Sequence, residues 1–146
     1  MLFLMLFLMI DVERIVPNGI VCLFNAWAYH QLSTVVPPSI CVAIDAKRKV
    51  VIPSTVPIEI YYWKKENLEF GITDAEISGF KVRITDLERS VCDAVKYRNK
   101  IGLDTTAEII RNYLKKDKRN LSRLSEYAKR LRVANTLKNY LMIAIE

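Results

Sequence analysis

Glu76-Ile77-Ser78-Gly79-Phe80-Lys81-Val82-Arg83-Ile84 decides how this chain folds. Ser78-Gly79 supplies a two-residue hairpin turn, and Phe80, Val82 and Ile84 fall on one face of the strand that follows. One residue later the period changes. Thr85-x-x-Glu88 has the form of a capping box, and Leu87, Val91, Ala94 and Val95 recur at helical spacing. The spacing predicts a helix over 86–99. Strand patterns dominate before this point and helical patterns after it.

Working outward, Ile40-Cys41-Val42-Ala43-Ile44 is a short apolar run rich in β-branched residues and reads as a buried strand. Lys47-Arg48-Lys49 is a charged turn, and Val50-Val51-Ile52 reads as a further short strand ended by Pro53. Ile58-Glu59-Ile60-Tyr61-Tyr62-Trp63 begins with strict alternation and is a strand. Nearer the N-terminus, Asn18 is placed to cap a helix over 19–32, with Ile20, Leu23, Phe24, Trp27 and Leu32 near one face. Downstream, Asp104 or Thr105 opens a helix reaching Leu114. Asn120 caps another, with Leu121, Leu124, Tyr127, Ala128 and Leu131 inward. Asn135 or Thr136 opens the last. The expected fold is α/β of the α+β kind: a small mixed sheet in the first half packed with helices, then a helical C-terminal part.

The chain has 146 residues, enough for one domain with a real core. We expect that domain over residues 13–146, preceded by an apolar segment over 1–12. Met1–Ile10 reads MLFLMLFLMI. Ten apolar residues are about half of what a membrane span needs. No Lys or Arg precedes the run, as a secretory leader would require. The expectation is therefore a misplaced translation start, or a remnant of an upstream segment, with self-association through it as a hazard. A cytoplasmic protein without a membrane partner, and a homo-oligomer, are the corresponding expectations.

Composition narrows the chemistry. Cys22, Cys41 and Cys92 are odd in number and lie in apolar or amphipathic runs, which favours reduced, buried thiols over a disulfide framework or a zinc site. His30 is the only histidine, so a multi-imidazole metal site is excluded. A metal-dependent phosphodiesterase or nuclease would need an acid near a second acid that is followed two residues on by lysine. Asp45 and Glu59 are the candidate acids, but Tyr61 stands where the lysine should be. The four glycines are isolated, so no phosphate-cradling loop is present. Neither an enzyme nor a cofactor is expected.

Charge is distributed unevenly. Residues 1–95 carry nine basic and eleven acidic residues, whereas residues 96–146 carry thirteen and five. Lys96, Arg98 and Lys100 crowd one predicted helix end, where the helix dipole also favours cations. Lys115, Lys116 and Arg119 form a loop-edge run, and Arg123, Arg130 and Arg132 decorate the next helix. These nine residues are the candidate surface for nucleic acid or an acidic partner, and they are expected to be contiguous. Binding of this kind reads phosphates and not sequence. Tyr97, Tyr113 and Tyr127 are expected to pack in the core rather than stack on bases.

Four blocks of the sequence together resemble a known family. Gly19-Ile20-Val21-Cys22-Leu23-Phe24-Asn25-Ala26-Trp27-Ala28-Tyr29-His30-Gln31-Leu32 is similar to the segment opening the C-terminal domain of AbiEi-type antitoxins, with Asn25 and Trp27 in place of the usual Ser and Leu. Thr85 with Glu88-Arg89-Ser90-Val91-Cys92-Asp93 resembles the segment that follows. Lys96-Tyr97-Arg98-Asn99-Lys100-Ile101-Gly102-Leu103-Asp104 matches the family's K-x-R-N-K-(I/V)-G-x-D signature and is the most specific block. Arg132-Val133 through Tyr140-Leu141 resembles the closing motif, with Thr136 off the pattern. The resemblance implies an α/β domain of a type IV toxin–antitoxin system that counteracts a nucleotidyltransferase toxin. In that family an N-terminal winged helix represses the operon. No winged helix precedes these blocks, so DNA contact here is expected to be weak and non-specific. An inactive truncated remnant is the remaining reading.

Overall fold

The computed structural model describes residues 11–144. In chain order it contains α1 (Val12–Ile15), β1 (Ile20–Val21), α2 (Leu23–Tyr29), β2 (Ile40–Asp45), β3 (Ile58–Trp63), a 3-10 turn (Lys65–Leu68), β4 (Ile72–Ile77) and β5 (Phe80–Thr85). Then follow α3 (Leu87–Lys96), α4 (Arg98–Ile101), α5 (Leu103–Leu114), α6 (Leu121–Arg130) and α7 (Ala134–Ala144). The five strands make one mixed sheet in the order β3-β2-β1-β5-β4. The architecture is α+β, with the sheet in the first half and most helices after it. Among the described residues no helix is long and apolar enough to cross a membrane.

The hairpin forms where its sequence places it. Ser78 and Gly79 both take positive φ, 53° and 85°, the backbone a tight hairpin turn needs. Its strands pair from Ile72↔Thr85 to Ile77↔Phe80, so β4 begins four residues before Glu76. On the other side of the sheet, β2 and β3 pair in parallel through six residue pairs. Their connection carries the first difference from the sequence reading. Val50-Val51-Ile52 is not a strand. Val51 is 91% exposed, while Val50, Ile52 and Val56 lie over the sheet face away from the long helices. The apolar residues of this loop cover a surface without joining a ladder.

The predicted helix over 19–32 is instead a strand followed by a shorter helix. Ile20 and Val21 form β1, antiparallel to β2 and parallel to β5, and α2 starts only at Leu23. Asn18 does not cap it; its backbone N–H donates to the Glu13 carboxylate at 3.0 Å. Tertiary pairing on both edges overrides the helical spacing of this segment. The apolar segment assigned to 1–12 also differs at its end. Residues 1–10 lie outside the described residues, but Val12 is 1% exposed and belongs to the core.

One face of the sheet packs on α2 and the long helices, burying Ile20, Cys41, Ala43, Tyr61 and Trp63 with Trp27, Val91, Val95, Ile110 and Leu124. At the centre stands α3, in which every residue from Glu88 to Val95 is buried. Its cap is Asp86, whose Oδ1 accepts the Arg89 N–H at 2.8 Å, not Thr85. Thr85 Oγ1 bonds the Ser90 hydroxyl instead, and Glu88 turns away to accept the Tyr113 hydroxyl and the Asn120 N–H. Trp27 Nε1 donates to the Ser90 carbonyl at 2.7 Å, locking α2 on α3. Asn120 caps α6 as its sequence predicts, with Oδ1 accepting the Arg123 N–H at 3.0 Å.

Gly71 closes the loop before β4 against α3. It sits at φ +68°, and a Cβ there would lie 2.6 Å from Arg89 Cβ. Gly71→Ala therefore combines a left-handed backbone with overpacking and should destabilise the fold by about 3 kcal/mol, read as a lowered urea midpoint with an unchanged m-value.

Candidate functional site

The site is built on a buried ion pair. Arg89 and Asp93 lie one turn apart on α3, each 1% exposed, with Nε 3.0 Å from Oδ1. The guanidinium is sandwiched between the rings of Trp63, at 4.6 Å, and Phe70, at 4.5 Å. Its Nη1 donates to the carbonyls of Asn67 at 2.7 Å and Phe70 at 3.0 Å. One side chain thus fastens the end of β3 and the loop after it to α3. Burial pushes the Asp93 carboxyl above the usual carboxylate range, and the Arg89 guanidinium opposes the shift. Asp93 Oδ2 has no hydrogen-bond partner among the described residues.

Beside this anchor opens a cleft of 480 Å³, lined by Tyr62, Trp63, Lys64, Glu66, Asn67, Lys96, Tyr97, Arg130, Leu131 and Arg132. Four cations and one carboxylate face it. Lys64 follows β3, Lys96 ends α3, and Arg130 and Arg132 flank the end of α6. The Arg130 guanidinium rests 4.8 Å over the Phe70 ring, which limits its freedom. Trp63 Nε1 donates to the Tyr97 hydroxyl at 3.0 Å and fixes the aromatic wall.

The nine candidate cations therefore do not act alike. Lys96, Arg130 and Arg132 meet at the cleft, joined by Lys64, which charge counting along the sequence passed over. Lys100 does not. Its ammonium donates to the Tyr61 hydroxyl at 2.8 Å, lies 3.4 Å from Glu59 Oε1 and sits over the Tyr61 ring. Arg98, the first residue of α4, donates to the Val95 carbonyl at 2.8 Å and so caps the end of α3. Arg123 lies 3.7 Å from the buried Glu88 carboxylate. Lys115, Lys116 and Arg119 occupy the α5–α6 connection, where Arg119 Nη1 donates to the Lys116 carbonyl. That connection is held to the start of α3 by Asn120 N on Glu88 Oε2, at 3.0 Å. Lys96 lies eight residues further along α3, ~12 Å by helix rise. The expected single surface is divided between the cleft and the α5–α6 connection, and four of the nine cations, Arg98, Lys100, Arg119 and Arg123, bond neighbouring groups.

Asp45 and Glu59 do not assemble a two-carboxylate site. In the β2–β3 register Glu59 stands opposite Cys41 and Asp45 opposite Trp63, so four residues, ~13 Å of strand, separate them. Asp45 closes a turn through the Lys47 N–H, and Glu59 is engaged by Lys100. Among the described residues no group of His, Cys, Asp and Glu is placed to hold a metal ion. Cys22, Cys41 and Cys92 are free and buried, and burial raises each thiol, Cys41 to about 11. Tyr97, Tyr113 and Tyr127 pack against or within the core, as expected. His30 Nε2 bonds the Thr85 carbonyl at 2.8 Å, which makes it the protonated ring nitrogen.

With the geometry in hand, comparison with known proteins returns no matching protein-family model and no significant match to a curated protein.

Two predictions test the site's framework. Arg89→Met leaves a buried carboxylate uncompensated and should cost about 3–5 kcal/mol in chemical denaturation, while Arg89→Met with Asp93→Leu should recover most of that loss. His30 supplies a pH dependence. Burial pushes its imidazole below the ordinary 6.5, against the pull of the Thr85 carbonyl. The unfolded chain then takes up a proton that the folded chain refuses. Its contribution to stability is complete above pH 6.5 and falls as pH drops from there toward the lower folded value. His30→Gln should flatten this limb in urea midpoints measured between about pH 7.5 and 5.

Proposed function

We propose that this chain is an antitoxin-like regulatory and binding domain of the AbiEi type, counteracting a nucleotidyltransferase toxin without catalysing a reaction itself. The observation that supports this reading is how the four resembling blocks meet. Trp27 and His30 of the first block bond Ser90 and Thr85 of the second. Arg89 of the second block stacks on Trp63, whose indole is bonded to Tyr97 of the third. Val133 and Leu137 of the fourth are buried in the same core. The four blocks therefore interlock, as a shared domain framework requires, although Trp27 departs from the family pattern and Trp63 lies outside the blocks.

The exposed cations supply the chemistry for a partner. Lys96, Arg130 and Arg132 on one side, and Lys115, Lys116 and Arg119 on the other, can hold phosphates or an acidic protein surface. Such contacts favour polyanions generally, so any DNA binding is weak and sequence-independent. A cytoplasmic location accords with three reduced, buried thiols.

Co-expression with a type IV nucleotidyltransferase toxin tests the proposal. The unaltered chain should restore growth. Lys96→Glu with Arg130→Glu, or Lys115→Glu with Lys116→Glu and Arg119→Glu, should abolish rescue in at least one of the two variants, with stability changed by no more than about 1 kcal/mol. Failure of the unaltered chain to rescue, or full rescue by both variants, would overturn it.

A further inference from the structure

The geometry points to a ligand site that this functional reading does not require. We infer that the cleft between β3, the end of α3 and the end of α6 binds a small molecule bearing a di- or triphosphate, with Lys96, Arg130 and Arg132 as its phosphate contacts.

Shape and charge come first. A volume of 480 Å³ lies within the range of about 300–1,000 Å³ typical of small-ligand sites. Lys64, Lys96, Arg130 and Arg132 face it against Glu66 alone. The excess of three positive charges suits a phosphate chain better than a single carboxylate. Two arginines add the planar donor forks that match phosphate oxygens. The Tyr97 hydroxyl accepts the Trp63 indole N–H and keeps its own proton for a ligand oxygen.

These cations are also unspent. The ion pairs among the described residues belong to Arg89, Lys100 and Arg123, and none involves a cation of the cleft. Burial pushes the Lys96 ammonium below its ordinary pKa; Asp93 opposes this, and Arg89 and Lys64 add to it. A bound anion would relieve that strain.

Helix dipoles favour cations at the ends of α3 and α6 without any ligand. They do not account for Arg132. Its N–H bonds the Lys129 carbonyl and the Val133 N–H bonds the Ala128 carbonyl, so α6 ends in a Schellman turn with Arg132 at the left-handed position, φ +61°. Glycine is the unstrained residue there. An arginine at this position gives up backbone stability and places a guanidinium on the cleft. Gln31 holds the equivalent position after α2, at φ +58°, and is not among the cleft residues. It serves as an internal control.

Isothermal titration of the full chain with inorganic triphosphate, ATP and GTP, in parallel with a short single-stranded RNA, tests the inference. Saturable binding of triphosphate or nucleoside triphosphate at one site per chain is expected. Lys96→Gln with Arg130→Gln should weaken it about tenfold or more. Arg132→Gly should weaken it about fivefold or more while holding or raising the melting temperature. Gln31→Gly should hold or raise the melting temperature and leave binding unchanged. Equal affinity for inorganic triphosphate and nucleotides assigns the site to the phosphate chain alone; tighter nucleotide binding adds a base subsite. No heat up to about 1 mM ligand, or binding indifferent to the cleft substitutions, would overturn the inference. So would binding of RNA only, which would make the cleft part of a polyanion surface. Toxin rescue is a separate measurement, and either result stands without the other.

Discussion

A guanidinium shut away from water must find all its partners within the protein, and Arg89 finds them in three places. The Asp93 carboxylate lies on its own helix, two carbonyls lie in the loop after β3, and two aromatic faces enclose its plane. The carbonyls and the aromatic faces are not available unless β3, the following loop and α3 are already in register. The pair therefore acts as a condition on assembly more than as a source of net stability, since burying two charges consumes most of what their attraction returns. Gly71 belongs to the same constraint, because only a residue without a side chain lets the backbone approach Arg89 so closely.

The sequence made much of this fold legible, for reasons that differ by element. The hairpin was readable because Ser78-Gly79 is local turn chemistry that nothing distant overrides. Asn120 was readable as a cap for the same reason. By contrast, β1 was invisible. Ile20 and Val21 are extended only because β2 and β5 receive them on either side, and no local pattern reports that. The burial of the polar residues of α3 was not legible either. Glu88, Arg89, Ser90 and Asp93 are all buried, each with its partner on a distant segment or one helical turn away, and no local pattern reports those partners.

Charge counting along the sequence does not report how the cations are organised in space. Cations adjacent in sequence have separate fates: Lys96 opens on the cleft, Arg98 closes a helix, and Lys100 is absorbed by Tyr61 and Glu59. Cations far apart in sequence meet, as Lys64 and Arg132 do. What decides each case is whether a carboxylate or a carbonyl lies within reach, and that depends on tertiary packing. The basic C-terminal half is thus a reservoir from which the fold withdraws some charges for structure and leaves others facing solvent.

The shortness of β1 has a mechanical consequence. The sheet consists of two robust pairs, β2 with β3 and β4 with β5, each joined through six residue pairs. Only the two residues of β1 stitch those pairs together. The ladder is therefore weakest along its midline, and the helical layer bridging both halves keeps it shut. Slow breathing of the molecule will begin as a parting along that midline, with amide protons of the two outer pairs exchanging as separate cooperative blocks.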